Sequence, residues 1–253
     1  MSNELILAIS GNDIFSGGGL HADLATYTTN KQHGFVAVTC LTAMTEHGFE
    51  VIPVDPTTFA QQLNSLKDVP FSAIKLGLLP NVEVADLALD YVKDHADIPV
   101  VLDPVLVCKE THDVEVSALR DELIKFFPSV TIITPNLPEA EILTQSKIQS
   151  LDDMKEAARK LHELGAANVV VKGGNRLNKE KAIDVFYDGQ DFTVFEEDVL
   201  EKNNTGAGCT FASSIASQLV QGKATLEAVE ASKAFVYQAI QKSDQYGVVQ
   251  YDQ

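Results

Sequence analysis

The sequence predicts an α/β fold with a mainly parallel sheet flanked by helices. Two observations carry this prediction: short apolar runs typical of buried strands, and segments of helical periodicity that alternate with them along the chain. The length of 253 residues, 45% of them hydrophobic and 22% charged, suits one large domain with an ample core. We therefore expect a single domain over residues 1–253.

Composition and capping signals place the predicted elements. Strands are expected at residues 5–9, 34–43, 71–78, 99–107, 130–134 and 168–171, followed by a hairpin of 182–187 and 192–195 around the turn Asp188-Gly189. Helices are expected at residues 20–31, 56–66, 81–95, 150–165 and 225–242, after residue 136, and in the second half of 203–220. Helix starts are marked by Asp55 before Pro56, by Asn136 before Pro138, by Ser150 with Asp153, and by Thr225.

The functional prediction depends mainly on residues 203–220. Its second half is predicted to be helical because Phe211, Ile215 and Leu219 recur every fourth residue. Its first half is a glycine-rich turn that ends at Cys209. The first N–H groups of a helix lack partners and carry a positive potential, so the turn predicts an anion site and a lowered pKa for the Cys209 thiol. The alternative is an ordinary junction with a small buried cysteine.

Charge and cysteine usage exclude several classes of protein. The net charge of −17 argues against nucleic acid or an acidic membrane as a partner. Cys40, Cys108 and Cys209 are too widely spaced for a disulfide framework or a zinc site. The first ten residues resemble a strand and not a signal peptide, and no apolar run is long enough to span a bilayer. We expect a reduced, cytoplasmic location.

Three further motifs follow predicted strands. Residues 10–19 form a glycine loop that suggests a phosphate cradle, although its spacing fits neither a P-loop nor a dinucleotide fingerprint. Asp103 ends an apolar strand, where sites of such sheets lie, and is a candidate to support magnesium; the alternative is a turn aspartate. Lys172, with Gly173 and Gly174 after it, fits a phosphate contact because a compact cation stands beside a flexible backbone.

Gly206-Ala207-Gly208-Cys209-Thr210 resembles the anion-hole motif of the ribokinase superfamily. Most members carry aspartate where this chain has Cys209, and a cysteine there resembles the vitamin-kinase branch of hydroxymethylpyrimidine (phosphate) kinases and pyridoxine/pyridoxal kinases. The N-terminal motif of that branch is matched at Gly11, Asp13, Gly17, Gly19 and 22–24, whereas Asn12, Ile14, Phe15 and His21 depart from it. The resemblance covers almost the whole chain and implies a ribokinase-like three-layer α/β/α sandwich with a mainly parallel central sheet.

The resemblance also implies roles for phosphoryl transfer from ATP. The backbone N–H groups of Gly206, Ala207, Gly208 and Cys209 would hold the transferring group, and Cys209 would accept the proton of the substrate hydroxyl. Asn136, Glu139, Lys172, Gly173, Gly174, Gly208 and Lys233 would bind or border the nucleotide, and Asp103 and Glu139 would serve Mg²⁺. For Glu139, the alternative is a charge that complements a helix dipole; Lys233 is otherwise a solvated lysine. A homodimer is expected because relatives form one.

Three residues bear on the substrate. In the resembling family, Asp13 can accept a hydrogen bond from the substrate ring; by itself it suits a turn cap. Met44 stands where the hydroxymethylpyrimidine kinases carry glutamine, and its soft apolar side chain suits a methylated pyridine ring. Cys108, in a Val-Cys-Lys sequence like that of pyridoxal kinases, is expected to touch the 4-position substituent. These residues favour a B6 vitamer as substrate.

Two alternatives remain open at this point. One is a hydroxymethylpyrimidine kinase of thiamine synthesis, and the other is a non-catalytic vitamin-binding protein with the same fold. Thr205 occupies the place where close vitamin-kinase relatives often carry histidine, so no role of that histidine is transferred to this chain.

Overall fold

The structure, a computed structural model, describes residues 4–106 and 113–251. Within these ranges the elements follow in the order β1 (Leu5–Ser10), α1 (Gly19–Thr29), β2 (His33–Val38), β3 (Cys40–Thr45), β4 (Gly48–Pro53), α2 (Pro56–Leu66), β5 (Ala73–Leu76), α3 (Val82–Lys93), β6 (Val100–Leu102), α4 (Asp113–Ile124), β7 (Ile132–Ile133), α5 (Leu137–Thr144), α6 (Leu151–Glu163), β8 (Val169–Lys172), β9 (Lys181–Tyr187), β10 (Phe192–Asp198), α7 (Ala207–Val220) and α8 (Thr225–Gln241). The chain divides into two compact units, Met1–Asp103 with Lys202–Gln253, and Pro104–Glu201.

The first unit contains a parallel sheet in the order β6-β5-β1-β2. Its central strand β1 is completely buried from Ile6 to Ile9, as expected for a parallel strand covered on both faces. Helices α1 and α7 pack against each other, and α7 also contacts β1, β5 and β6. Because β1, β5 and β6 run in the same direction, their carboxyl ends meet at one edge. Residues 10–19 and Asp103 follow strands at this edge, where parallel sheets form their sites.

The second unit carries two antiparallel strands, β9 and β10, beside β7 and β8. Strand β7 pairs with β8 in parallel, and β8 pairs with β9 and β9 with β10 in antiparallel fashion. The predicted hairpin is confirmed: Asp188 Oδ1 accepts hydrogen bonds from the N–H groups of Gln190 and Asp191, which closes the turn. The predicted helix start at Ser150 is also confirmed, because its hydroxyl accepts from the N–H of Asp153 at 3.1 Å.

Two predicted features are wrong in detail, and two elements were missed. The segment 34–43, predicted as one strand, is two strands that are separated at Thr39. The Thr39 N–H donates to Ser10 O, and the Thr39 carbonyl accepts from Val54 N–H. Strand β4 and helix α4 were not predicted. Thr225 is the first residue of α8 and not its cap; Ala224 occupies the cap position, and Glu227 accepts its N–H at 3.2 Å.

The described residues include no helix long and apolar enough to cross a membrane. The expectation of one domain over 1–253 stays a prediction.

Candidate active site

The start of α7 is built as an open helix end. Gly206 precedes the helix in the left-handed conformation, with φ of 83°, and no side chain caps it. Thr210 makes the first bond of the helix, donating to Gly206 O at 2.9 Å, so the N–H groups of Gly208 and Cys209 come before the helical ladder. Ala207 differs from the prediction, because its N–H donates to Asn204 O at 3.0 Å and is already engaged.

Three backbone segments are in close contact around this turn. A Cβ at Gly206 would lie 1.6 Å from Gly17 O, and a Cβ at Gly17 would lie 2.4 Å from Tyr246 O. Val248 N–H donates to Thr205 O at 3.0 Å. The turn therefore depends on the glycine loop and on the chain's last segment, and glycine is required because no side chain fits between the backbones.

Asp13 organises the glycine loop. Its two carboxylate oxygens accept from Phe15 N–H at 3.0 Å and from Gly18 N–H at 2.8 Å. This is the turn-capping role that the residue alone suggested, and its contact with substrate stays a prediction. The loop ends at Gly19, whose N–H donates to Cys209 Sγ at 3.4 Å. The structure thus brings Asp13, the loop and Cys209 together.

The environment of Cys209 overturns one expectation. Burial raises the pKa of the thiol above its ordinary value; Lys75 lowers it, Asp23 and Asp103 raise it, and the Gly19 N–H lowers it. The expected lowering at a helix start is wrong, because burial raises the pKa of the thiol more than Lys75 and the Gly19 N–H lower it.

A buried ion pair beneath this site was missed by sequence reasoning. Lys75 Nζ lies 2.8 Å from Asp23 Oδ1, and both side chains are wholly inaccessible to solvent. Ser213, one turn after Cys209 on α7, donates to the same oxygen at 2.6 Å. The available signal was a lysine inside the apolar run of residues 73–79, since a buried strand accepts a charge only with a partner.

Met44 and two bulky residues of the glycine loop are exposed. Met44 is 59% exposed on the β3–β4 hairpin, where it pairs across the strands with Phe49, so it is not a core residue. Ile14 and Phe15 are about half exposed, and Ile14 N–H donates to Thr42 Oγ1 at 2.9 Å. The glycine loop and the hairpin are therefore linked, and apolar side chains remain available beside Asp13. Cys108 lies outside the described residues.

The second unit brings four of its predicted residues together. Asn136 Oδ1 accepts from Glu139 N–H at 3.0 Å and Glu139 Oε2 accepts from Asn136 N–H at 2.8 Å, a reciprocal cap at the start of α5. Asn136 forms a bridge with Lys172, whose N–H donates to Pro135 O at 2.8 Å. Gly173 N–H donates to Ile183 O and Asp184 Oδ1, each at 2.9 Å. Gly174 follows with φ of 53°.

The two expected magnesium carboxylates are buried. Asp103 is 3% exposed and Glu139 is 4% exposed. No group of three or more acidic, histidine or cysteine side chains is placed to hold a metal ion in the part of the chain that the structure describes. The roles of Asp103 and Glu139 toward Mg²⁺ stay predictions. Lys233 is half-buried on α8, and its contact with nucleotide stays a prediction.

Comparison with solved structures places this fold among kinases. The structure matches an ADP complex of Bacillus subtilis pyridoxal kinase with a TM-score of 0.90 and 37% identity, covering 97% of this chain and 96% of the other. It matches Staphylococcus aureus pyridoxal kinase in complex with AMP-PCP and pyridoxal with a TM-score of 0.89 and 34% identity, covering 97% and 90%. The protein is an α/β kinase with the ribokinase-like fold.

The model of the phosphomethylpyrimidine kinase family matches residues 13–252, and the chain belongs to this family. Pyridoxine kinase of Bacillus subtilis is 39% identical over 253 residues, covering 96% of this chain and 92% of the relative. Hydroxymethylpyrimidine/phosphomethylpyrimidine kinase of Aquifex aeolicus is 34% identical over 250 residues, covering 96% of each. Both substrate classes are thus represented among similar proteins.

Proposed function

We propose that the protein transfers the γ-phosphoryl group of ATP to the 5′-hydroxymethyl group of a B6 vitamer. The observation that carries the proposal is the meeting of three parts in one place: the open N-terminus of α7, the Cys209 thiol, and the loop held by Asp13. A phosphate binds where helical N–H groups converge, and a substrate hydroxyl beside it needs a proton acceptor. Relatives named pyridoxine kinase and pyridoxal kinase support the choice of vitamer.

In this proposal the chain's residues act mainly by position and charge. The N–H groups of Gly208 and Cys209 hold the transferring group as negative charge spreads over its oxygens. Cys209 Sγ, as the thiolate, accepts the hydroxyl proton as the oxygen attacks phosphorus, and ADP leaves. Lys172 neutralises charge on the nucleotide.

The residues Asp103 and Glu139 would support Mg²⁺, which supplies charge neutralisation to the phosphates when bound. Buried carboxylates are the oxygen ligands that this ion prefers. One oxygen of Glu139 already accepts the Asn136 N–H, which fixes the orientation of its carboxylate.

Hydroxymethylpyrimidine phosphorylation is the second candidate, supported by the family's name and by the Aquifex aeolicus relative. The position of Met44 argues against it. An exposed thioether beside the substrate loop offers no donor and only a weak acceptor to the aminopyrimidine edge that the glutamine of those kinases can pair with.

A coupled assay of ADP release across pyridoxal, pyridoxine, pyridoxamine and hydroxymethylpyrimidine tests the proposal. We expect kcat/KM on at least one B6 vitamer to exceed that on hydroxymethylpyrimidine. The reverse order would assign the protein to thiamine synthesis, and ADP release independent of every one of these alcohols would remove both candidates.

Met44→Gln is expected to raise kcat/KM for hydroxymethylpyrimidine relative to pyridoxine by about tenfold, because glutamine supplies both a donor and an acceptor. The measurement is the ratio of the two kcat/KM values in one preparation. Leu41→Gln is the control, since Leu41 is 50% exposed on the same strand but three residues away, and so on the opposite face. An equal change of the ratio in both variants would contradict the role of Met44.

A further inference from the structure

The Lys75–Asp23 pair has no evident purpose in stability. Both side chains are 0% exposed, and burying two charges costs several kcal/mol per ion before their attraction is counted. Lys75 and Ser213 both donate to Asp23 Oδ1, whereas Asp23 Oδ2 is buried with no hydrogen-bond partner in the described structure. An apolar pair of similar volume would stabilise the fold as well or better.

The pair lies directly below the Cys209 thiol. Helices α1 and α7 touch at two levels: Gly19 N–H meets Cys209 Sγ at 3.4 Å, and Asp23 Oδ1 meets Ser213 Oγ at 2.6 Å. On each helix the two residues are four positions apart, so the levels are separated by about one helical turn, ~5–6 Å. The Lys75 ammonium, 2.8 Å from Asp23 Oδ1, belongs to the lower level.

The strand that carries Lys75 leads to the same edge of the sheet. Residue 77 is glycine, and a Cβ there would lie 2.8 Å from Lys75 Nζ and 2.3 Å from Ser10 Oγ. The missing side chain makes room for the ammonium between the ends of β5 and β1. The buried Ser10 Oγ has no hydrogen-bond partner in the described structure. Polar groups that apolar packing does not require are therefore concentrated at the ends of β1 and β5.

We propose that Lys75 is a positioning residue whose ammonium charge makes the Cys209 thiol able to give up its proton. The inference rests on the proposed role of Cys209 as the proton acceptor. It gives the buried pair a purpose: Lys75 supplies the positive field, and Asp23 keeps the ammonium charged and in place inside an apolar core.

The charges around the thiol come from three directions. They are Lys75 on β5, Asp23 on α1 and Asp103 after β6, and the neutral Tyr27 on α1 is the other titratable group nearby. The buried residues of α8 are Ala228, Val229, Ser232 and Ala239, and those of β1 are Ile6–Ser10, none of which titrates. Burial alone would lower the pKa of Lys75, but Asp23 and then Cys209 raise it above its ordinary value, so the lysine keeps its charge.

The test is the pH dependence of Cys209 alkylation by iodoacetamide, followed by mass spectrometry of the peptide that contains Cys209. Lys75→Met is expected to move the midpoint upward by about one pH unit or more, with about tenfold slower alkylation at neutral pH. Asp23→Asn removes the carboxylate that keeps the Lys75 ammonium charged, so it too is expected to move the midpoint upward. Slower alkylation in both variants separates an electrostatic role from loosened packing, which would speed alkylation in both.

The double variant Lys75→Met with Asp23→Leu replaces the pair by apolar side chains and is expected to fold even if Lys75→Met alone does not. Its midpoint should lie above that of the wild type, because the effect of Lys75 on the thiol is larger than the opposing effect of Asp23. Lys93→Met is the matched control: it removes an exposed lysine that is paired with Asp90 in the same unit, and it should leave the midpoint unchanged.

Turnover supplies a second readout. Lys75→Met should lower kcat and move the rise of kcat with pH to higher pH values. The KM for ATP should stay near the wild-type value. A midpoint for Lys75→Met and for the double variant equal to that of the wild type would overturn the proposal. Because alkylation requires no vitamin, this result is independent of whether the protein phosphorylates B6 vitamers.

Discussion

Cys209→Ala is expected to lower kcat by about 10²–10⁴-fold, the usual contribution of a positioned proton acceptor. The KM for ATP should change little, because the backbone N–H groups at the start of α7 remain in place. Initial rates at saturating vitamer and varied ATP measure both quantities. Wild-type kcat should also rise with pH into the alkaline range, because burial raises the pKa of the thiol and its thiolate form grows only above that pKa.

Two further variants sharpen this experiment. Cys40→Ala removes a fully buried thiol elsewhere in the same unit and should retain turnover, whatever its effect on stability. Cys209→Asp introduces the residue that most members of the superfamily carry, and it should restore part of the activity lost in Cys209→Ala. The dependence of its kcat on pH should shift to lower pH, because a carboxyl group has a lower pKa than a thiol. A Cys209→Ala enzyme with wild-type kcat would remove the thiol from the mechanism.

Gly206→Ala is expected to reduce kcat/KM by at least about a hundredfold. A Cβ at this position would lie 1.6 Å from Gly17 O, so the turn and the glycine loop cannot both keep their places. The φ of 83° adds strain of about 1–2 kcal/mol for any residue with a side chain. Displacement of the turn moves the N–H groups that are proposed to hold the transferring phosphoryl group, and even an error of about 1 Å can cost about 10²-fold.

Gly222→Ala provides a control on the same helix. Gly222 follows α7 with φ of 85°, but a Cβ there would meet no atom within 4 Å. It therefore carries the backbone strain without the collision, and we expect a modest loss of thermal stability with normal kcat/KM. If the two variants lost activity to the same degree, backbone strain alone would explain the effect. The close contact between the Gly206 turn and the glycine loop would then not be needed for activity.

The features that sequence predicts well in this protein are local ones. The cap of Asp55 on α2, the reciprocal cap of Asn136 and Glu139, and the turn at Asp188 each depend on residues within four positions of one another. The helical repeat of Phe211 and its neighbours likewise defines α7 without reference to the rest of the chain. The glycine turn before it could be recognised because glycine spacing is itself a local signal.

The features that escaped prediction depend on distant parts of the chain. Lys75 and Asp23 are 52 residues apart, and their contact requires β5 beside β1 with α1 packed on β1. The break at Thr39 depends on bonds to Ser10 and Val54. The pKa of Cys209 was predicted in the wrong direction because the helix end is visible in the sequence, whereas the loss of hydration is a property of the folded core.

The meeting of Gly17, Gly206 and Tyr246 has a consequence for biosynthesis. These residues are far apart in the chain, yet the turn is confined by all three backbones at once. During translation, a nascent chain can place its first glycine loop early, but it cannot assemble the phosphate-binding corner until residue 246 has left the ribosome. The growing polypeptide therefore lacks the completed turn as long as residue 246 is still inside the ribosome.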